Sequence, residues 1–138
     1  MASAGDLILR AFRAVEQRDY EALIALYHPE VEFHEAPSLP DGGSTVGREA
    51  VAADLGWLET WGPLQPTEAE RRMDPRIIGD DGTNVVALYR QRAVARSGRR
   101  FDSPVLGLYE VRDAKFARAQ MFHFDTAAIL EFLEAADR

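Results

Sequence analysis

Two side chains in this sequence have the chemistry to move protons, Glu35 and His123, and each stands near the end of a predicted strand. In the segment 30–37, EVEFHEAP, the residues Val31, Phe33 and Glu35 share one strand face, because side chains alternate with a period of two. A face that starts with two apolar residues points to the core, yet this one finishes on a carboxylate. Dry surroundings make a carboxylate a stronger base, so Glu35 is a candidate general base at the rim of an apolar cavity.

The residues alone leave other interpretations of both side chains open. Glu35 is equally consistent with an exposed strand end, or with the partner of an arginine, whose charge would weaken it as a base. His123 can hand a proton to a developing enolate or hydroxyl, or it can be a histidine at the edge of the core bonded to backbone. Arg90 and Arg92 share a strand face, and one of them could reach inward to pair with Glu35 or to bind a substrate carboxylate or phenolate. A charged outer face is the plainer interpretation of these arginines.

The other two histidines are interpreted as structural. His34 alternates away from Glu35 along the strand, and His28 precedes Pro29 at a helix end, where an imidazolium suits the helix dipole. The three histidines show no HxH or HExxH spacing and the chain has no cysteine, so no metal site and no cofactor are predicted.

Composition limits the classes of protein to consider. The chain has 138 residues, 46% of them apolar, which predicts one globular domain over residues 1–138. A net charge of −7 argues against binding to nucleic acid, because an acidic surface repels phosphates. Charged residues interrupt the apolar positions at the start of the chain, so neither a signal peptide nor a membrane span is predicted, and the expected location is the cytoplasm.

Periodicity predicts three helices with one strand among them, then four strands and a last helix. The first helix starts at an Asp6 N-cap, the second at Asp19 and ends at Pro29, the third runs from Arg48 to Trp61, and the last is capped by Asp125 or Thr126. The segment 38–47 has the composition of a loop. The predicted strands cover residues 30–37, 71–78, 85–96, 101–111 and 115–124.

This order predicts an α+β fold in which a curved antiparallel sheet wraps around the three N-terminal helices as a cone-shaped barrel, with the C-terminal helix added. Helices folded across a bent sheet leave a hollow that suits a small molecule. Trp57 and Trp61, four residues apart on one helix face, are candidate walls for a flat ligand, although both are also consistent with plain core. The residues predicted to contact a ligand are Phe33, Trp57, Trp61, Arg92, Tyr109 and Met121.

The strings DYEALIALYHPEVEFHEAP and GREAVAADL, with a meander that ends KFARAQMFHFD, resemble the nuclear-transport-factor-2-like superfamily, and in particular its SnoaL-like branch, which includes polyketide cyclases. The resemblance implies that Glu35 points into the cone as a general base, as in ketosteroid-isomerase-like members. Ala11 and Gly107 stand where such members carry a phenol and an acid, so ketosteroid isomerisation itself is not implied. SnoaL-like cyclases carry a His/Asp pair near Gly107 and Met121, and His123 lies two residues beyond the latter on the same face.

The function that the resemblance implies is acid–base chemistry without a cofactor, either an aldol-type cyclisation or an isomerisation of a polyketide-like carbonyl compound. Two alternatives remain: an epoxide hydrolase or ether-ring-forming cyclase of the same fold, and a non-catalytic binding module. The expected ligand is small, apolar or aromatic, and contains a carbonyl group. Val85, Tyr89, Phe122 and Phe124 are assigned to the outer sheet face, which is then apolar enough to predict a homodimer.

Overall fold

A computed structural model describes residues 3–136, and the six helices and six strands below are those of this range. The helices are α1 (Ala4–Glu16), α2 (Tyr20–Ala25), α3 (Arg48–Ala53), α4 (Gly56–Trp61), α5 (Glu68–Arg71) and α6 (Thr126–Ala136), with a 3-10 turn at Gly62–Leu64. The strands are β1 (Tyr27–Glu35), β2 (Gly43–Val46), β3 (Arg76–Asp80), β4 (Asn84–Val94), β5 (Arg100–Arg112) and β6 (Lys115–His123).

The predicted α+β class is confirmed. The strands form one curved sheet in the order β2-β1-β6-β5-β4-β3, and the sheet stays open with β2 and β3 at its edges. Strands β3 to β6 form the predicted antiparallel meander. The one exception to the antiparallel pattern is the pair β1 and β6, which run parallel. The chain leaves the sheet after β1 and β2, passes through the helices, and returns along the other half of the sheet.

The N-terminal helices differ from their predicted bounds for local reasons. Ser3, rather than Asp6, is the N-cap of α1, and Asp6 completes a capping box by accepting a hydrogen bond from the Ser3 backbone N–H. The predicted helix from 48 to 61 is two helices, α3 and α4. The chain is extended at Asp54, and the Asp54 carboxylate accepts the backbone N–H of Gly56 at 3.1 Å. The extended backbone at Asp54 ends α3, and the bond to Gly56 N–H is a local side-chain contact at the start of α4.

Two strand predictions also change, and one helix cap is confirmed. The loop predicted at 38–47 contains β2, which pairs antiparallel with the end of β1. The strand predicted at 71–78 begins only at Arg76, because Thr67 and Glu70 form a capping box that starts the short helix α5. The predicted cap Asp125 is confirmed, since its carboxylate accepts the backbone N–H of Ala128 in the first turn of α6.

The two faces of the sheet are sharply different, and here one prediction is wrong. Val85 and Tyr89 are only 0% and 5% exposed and belong to the core, not to the outer face. Register explains the error, because odd-numbered residues of β4 point to the concave side. Phe122 and Phe124 are on the outer face as predicted, 50% and 80% exposed, and Phe122 lies opposite Leu106 there.

The core fills the concave side, where α1 lies against the sheet. Phe12 of α1 makes edge-to-face contacts with Tyr89 and Tyr109, with ring centroids 4.9 and 5.8 Å apart. A second cluster forms where α6 crosses the far end of the sheet, around Ile129 and Phe132. Side chains of α1, α2 and α4 and of the sheet together line the space that remains on the concave face.

Gly107 is placed under the ring of Tyr109. A Cβ atom at position 107 would lie 2.1 Å from the Tyr109 hydroxyl oxygen and 2.3 Å from the ring carbon that bears it. The ring cannot move aside easily, because it is also packed against Phe12 and Phe116. Gly107 is thus required by a close approach within one strand.

We expect Gly107→Ala to lower the free energy of unfolding by about 1–3 kcal/mol, as is typical when a group is forced into a packed core. Gly79→Ala is the matched control, because a Cβ there meets its nearest atom, on Val86, at an ordinary 3.9 Å. Urea unfolding followed by circular dichroism measures both. Equal midpoints for the two variants would contradict the close packing of Tyr109 over Gly107.

Candidate active site

A cavity of about 190 Å³ opens in the middle of the concave face. Of the residues predicted to contact a ligand, four line this cavity: Phe33, Trp57, Tyr109 and Met121. Phe33 stacks on Phe116 with ring centroids 5.5 Å apart, which gives the cavity a flat aromatic wall. Most of the lining is apolar, and three carboxyl groups interrupt it: Glu35, Asp41 and Asp54. Asp54 accepts a hydrogen bond from the Thr45 hydroxyl at 3.1 Å.

Glu35 ends β1 and points inward, with its side chain 15% exposed. One carboxylate oxygen, Oε1, lies 2.8 Å from His123 Nε2 and also accepts the backbone N–H of Ala36 at 2.9 Å. The other oxygen, Oε2, has no hydrogen-bond partner within residues 3–136 and is not enclosed by protein atoms. Glu35 is therefore held by one oxygen and presents the other to the cavity.

His123 is the partner of Glu35, and its side chain is 5% exposed. Its second ring nitrogen, Nδ1, is buried without a hydrogen-bond partner among the described residues. Nε2 faces a carboxylate oxygen, so the geometry fits an Nε2–H that donates to Glu35 Oε1.

Parallel pairing of β1 and β6 brings these two residues together. Phe33 lies opposite Ala119 and His34 opposite Gln120, so the ends of both strands reach the same edge of the cavity. The sequence places Glu35 and His123 on two strand ends but does not show that the strands are neighbours. Their contact comes from a pairing between segments that are 88 residues apart.

Asp41 is the site residue that sequence reasoning missed. The segment 36–42 folds back on the end of β1: Leu39 N–H donates to Ala36 O, and Gly42 N–H donates to Leu39 O. Gly42 is so close to this backbone that a Cβ would lie 2.0 Å from Ala36 O. The tight turn puts Asp41 into the cavity beside Glu35. A hairpin prediction across the loop 38–47 would have placed it there.

The surroundings of Asp41 favour its protonated form. Burial raises the pKa of this carboxyl, and the negative charge of Glu35 raises it further. The neighbouring His123 and the indole N–H of Trp61 oppose the shift only in part. Asp41 Oδ1 is buried and has no hydrogen-bond partner within residues 3–136. Asp41 thus holds its proton more firmly than an ordinary aspartate does, and it shares the cavity with a second carboxyl group, Glu35.

Tyrosine hydroxyls supply the remaining polar groups of the cavity wall. Burial raises the pKa of Tyr27, Tyr89 and Tyr109, so all three remain protonated at neutral pH. The Tyr109 hydroxyl occupies the space that a side chain at Gly107 would take, the position where the resemblance expects an acid. The cavity therefore keeps a hydrogen-bond donor at this place, carried by a different residue.

The other predicted ligand contacts lie elsewhere. Trp61 lines a smaller neighbouring cavity of about 80 Å³, which Glu35 and His123 also border. Arg92 reaches neither cavity, since its guanidinium binds Asp74 at 2.8 Å and Asp102 at 3.3 Å. The inward reach expected of Arg92 is therefore wrong, because these two carboxylates hold it outside.

The histidines taken as structural lie outside the cavity as well. His28 lies in β1 rather than at a helix end, and its Nε2 is 3.2 Å from a carboxylate oxygen of Asp113. His34 is on the opposite face of β1 from Glu35, where its Nδ1 is 2.8 Å from the Ser44 hydroxyl.

The described range, residues 3–136, was also considered for metal sites and membrane-spanning helices. No group of three or more His, Cys, Asp or Glu side chains there is arranged to hold a metal ion. No helix in the same range has both the length and the apolar character needed to cross a bilayer.

Comparison with known proteins adds a family and a set of related folds. A family model described as a SnoaL-like domain matches residues 8–119. No curated protein matches the chain. Among solved structures, TerC co-crystallised with polyporic acid is 23% identical, with 94% of this chain and 96% of that one covered and a TM-score of 0.77.

Two further structures are similar over nearly their whole length. An NTF2-like protein of unknown function from Burkholderia pseudomallei is 19% identical, with 96% and 98% covered and a TM-score of 0.78. A proposed polyketide cyclase from Xanthomonas campestris pv. campestris is 20% identical, with 96% of each chain covered and a TM-score of 0.69. At these identities, the similarity to all three shows the fold alone.

The raised pKa of Asp41 gives a prediction for stability. Because the folded chain holds this proton more tightly than the unfolded chain, folding loses stability as pH rises from the ordinary aspartate range through the raised pKa. Asp41→Asn removes that loss. We expect the variant to have a higher urea midpoint than the wild type at pH 7, and the difference to shrink towards pH 4.

Glu59→Gln is the control, because it makes the same change of carboxylate to amide on an exposed position of α4. Its effect on the urea midpoint should be small at every pH. A difference between Asp41→Asn and wild type that does not vary with pH would show that Asp41 is ionised in the folded protein like an exposed carboxylate.

Proposed function

The chain belongs to the family of SnoaL-like domains, and from this premise we propose that it is an enzyme that performs acid–base chemistry without a cofactor on a small carbonyl compound. The reaction class is an aldol-type cyclisation or an isomerisation of a polyketide-like substrate. One observation carries the proposal: Glu35 is fixed through Oε1 and presents Oε2 to an apolar cavity. A positioned carboxylate in such surroundings is suited to take a proton from carbon.

In the first step, Glu35 Oε2 takes a proton from the carbon next to the substrate carbonyl, and the electron pair of the broken C–H bond forms an enolate. His123 acts through Glu35 as a positioning residue. Its Nε2–H occupies Oε1, which fixes the carboxylate plane and directs the free oxygen at the substrate.

The enolate oxygen needs a hydrogen-bond donor, and Asp41 in its protonated form is the proposed one. Burial and the charge of Glu35 raise the pKa of Asp41, which supports opposite roles for the two carboxyl groups. In a cyclisation, the enolate carbon attacks a second carbonyl of the substrate, and the new alkoxide takes the Asp41 proton. In an isomerisation, Glu35 returns its proton to another carbon of the enolate.

The lining of the cavity favours an aromatic or polyketide-like ligand. Phe33, Phe116 and Trp57 offer ring faces, and the tyrosine hydroxyls offer only neutral donors. TerC, a structure of the same fold, was co-crystallised with the small molecule polyporic acid. This supports a small-molecule ligand in the corresponding hollow of the present chain.

The pairing of an ionised and a protonated carboxyl also favours a second candidate, an epoxide hydrolase. Glu35 would then activate a water and Asp41 would protonate the epoxide oxygen as the ring opens. Reaction in ¹⁸O-labelled water separates the two candidates. Incorporation of solvent oxygen supports hydrolysis, whereas exchange of hydrogen at carbon in heavy water supports the enolate reaction.

The outer face of the sheet is the proposed interface of a homodimer. Four apolar side chains are exposed together there: Leu106 by 40%, Leu108 by 38%, Phe122 by 50% and Phe124 by 80%. An exposed apolar patch of this kind is typical of an interaction surface. Because it lies on the convex side, a second copy would leave the cavity on the concave side open.

We expect Glu35→Gln to lower turnover by about 10²–10⁴-fold, the usual contribution of a positioned base. Glu32→Gln is the control, since Glu32 lies on the same strand but on the opposite face. Polyporic acid and a panel of aromatic and polyketide carbonyl compounds are incubated with each protein in heavy water, and deuterium uptake and products are followed by mass spectrometry. Full turnover by Glu35→Gln would contradict the proposal that Glu35 is the base.

We expect wild-type protein to sediment with twice the mass of one chain at micromolar concentration, and Phe122→Glu to sediment as one chain. The charge would be buried unpaired in the proposed interface, which disfavours association. Arg118→Glu, on the outer face of the same strand, is the control for charge alone. A wild-type protein with the mass of a single chain contradicts the dimer.

A further inference from the structure

The smaller cavity, of about 80 Å³, shares walls with the larger one but has a different character. Glu35, Asp41 and Trp57 border both, so the two cavities meet at the candidate acid and base. The smaller cavity is in addition lined by three arginines, whereas the larger one has no basic side chain in its lining. One of the three, Arg90, is paired with Asp102 at 2.8 Å, and the other two are Arg18 and Arg71. We refer to the smaller cavity as the arginine chamber.

Arg18 is a half-buried cation without a carboxylate partner among residues 3–136. Its guanidinium donates to the backbone oxygen of Val15 at 2.9 Å and to the side-chain oxygen of Gln65, and it lies 5.7 Å from the ring centre of Trp57. These acceptors are neutral, and they use two of its five N–H donors. Burial lowers the pKa of Arg18; Tyr20 opposes this in part, and the nearby charge of Arg71 adds a smaller lowering.

Arg71 completes the chamber in a similar way. Its Nε donates to the backbone oxygen of Gln65 at 2.9 Å and its Nη2 to that of Pro66 at 3.3 Å, so its described acceptors are also uncharged. Six other arginines in the described part of the chain do have carboxylate partners within 4.0 Å: Arg72, Arg90, Arg92, Arg99, Arg100 and Arg112. The described arginines that also have no such partner border neither cavity: Arg10, Arg13, Arg48, Arg76, Arg96 and Arg118.

The contrast matters because acidic residues outnumber basic ones, 23 to 16, so carboxylates are plentiful. The one further carboxylate that borders the chamber, Glu70, is already satisfied: Oε1 accepts from Thr67, and Oε2 lies 3.4 Å from Arg100. Two guanidinium groups therefore face one small space with donors to spare, and their mutual repulsion would be relieved by an anion.

We infer that the arginine chamber binds a carboxylate of the substrate, so that the substrate of the proposed enzyme is a carbonyl compound that also carries a carboxylic acid. A guanidinium fork matches the two oxygens of a carboxylate in one plane. With the carboxylate held by Arg18 and Arg71, the rest of the molecule extends past Glu35 and Asp41 into the apolar cavity. The bound carboxylate thus determines which carbon of the substrate lies next to Glu35. The statement that the bound carboxylate belongs to a substrate rests on the proposed function, whereas the anion site itself does not.

The test uses 2-naphthoate and its neutral counterpart 2-naphthamide, titrated into the full chain and followed by the fluorescence of Trp57 and Trp61, with calorimetry as a second readout. We expect wild-type protein to bind naphthoate at least about tenfold more tightly than naphthamide, as charge-assisted pairs favour. Added sodium chloride should reduce this preference. Arg18→Gln and Arg71→Gln should each reduce it while leaving the affinity for naphthamide unchanged.

Arg72→Gln is the matched control, because Arg72 neighbours Arg71 in the chain but is exposed and paired with Glu68. It should keep the full preference for naphthoate. Two variants in the chamber are used so that a folding defect in one, detected by its unfolding midpoint, leaves the other to decide. Equal binding of naphthoate and naphthamide by wild type, or a preference that survives in a folded chamber variant, overturns the inference.

The Glu35→Gln variant distinguishes failure of the carboxylate inference from failure of the proposed function. If this variant loses turnover but keeps the preference for naphthoate, both proposals stand. If it keeps turnover while Arg18→Gln loses the preference, the chamber binds anions and the mechanism at Glu35 fails. If turnover depends on Glu35 but wild type does not distinguish naphthoate from naphthamide, only the carboxylate inference fails.

Discussion

The parallel pairing of β1 with β6 is the constraint on which the site depends. Every other pair in the sheet joins strands that run antiparallel. This pair joins the start of the domain to its end and brings both strands to one edge of the cavity. Glu35 and His123 meet there at 2.8 Å. A pairing between distant segments is costly in chain entropy, so it forms only with the whole fold. The candidate base is therefore oriented only when the domain is complete.

A second constraint is the dryness of the concave face. The same burial that stabilises Phe12, Tyr89 and Tyr109 also raises the pKa of Asp41, which makes one environment responsible for both packing and acid–base character. Buried polar atoms without partners, such as Asp41 Oδ1 and His123 Nδ1, cost stability. Protein sites commonly accept such a cost where a group must remain available to a ligand. Of the three such side-chain atoms within residues 3–136, Asp41 Oδ1 and His123 Nδ1 belong to residues that border the smaller cavity with Glu35, whereas His34 Nε2 belongs to the opposite face of β1.

Sequence reasoning reached the fold class, the inward direction of Glu35 and the strand face of His123, because alternation and helical periodicity are local signals. It could not reach Asp41, whose position depends on a tight turn and on the pairing of β2 that the loop composition concealed. The placement of Val85 and Tyr89 failed for a similar reason: period two gives two faces, but only the tertiary register tells which one is covered. Arg92 was misplaced because its partners Asp74 and Asp102 come from other segments.

The packing of Tyr109 over Gly107 limits which residues can occupy these two positions in related proteins. They stand two apart on one face of β5, and the phenol fills the volume where any side chain at 107 would start. An acidic residue at the first position and a tyrosine lying over it are thus mutually exclusive. Across proteins with this sheet, the two positions should covary, so that an acidic residue at the first position occurs only where the second is not tyrosine. A change of the polar group at this place in the cavity therefore requires substitutions at both positions.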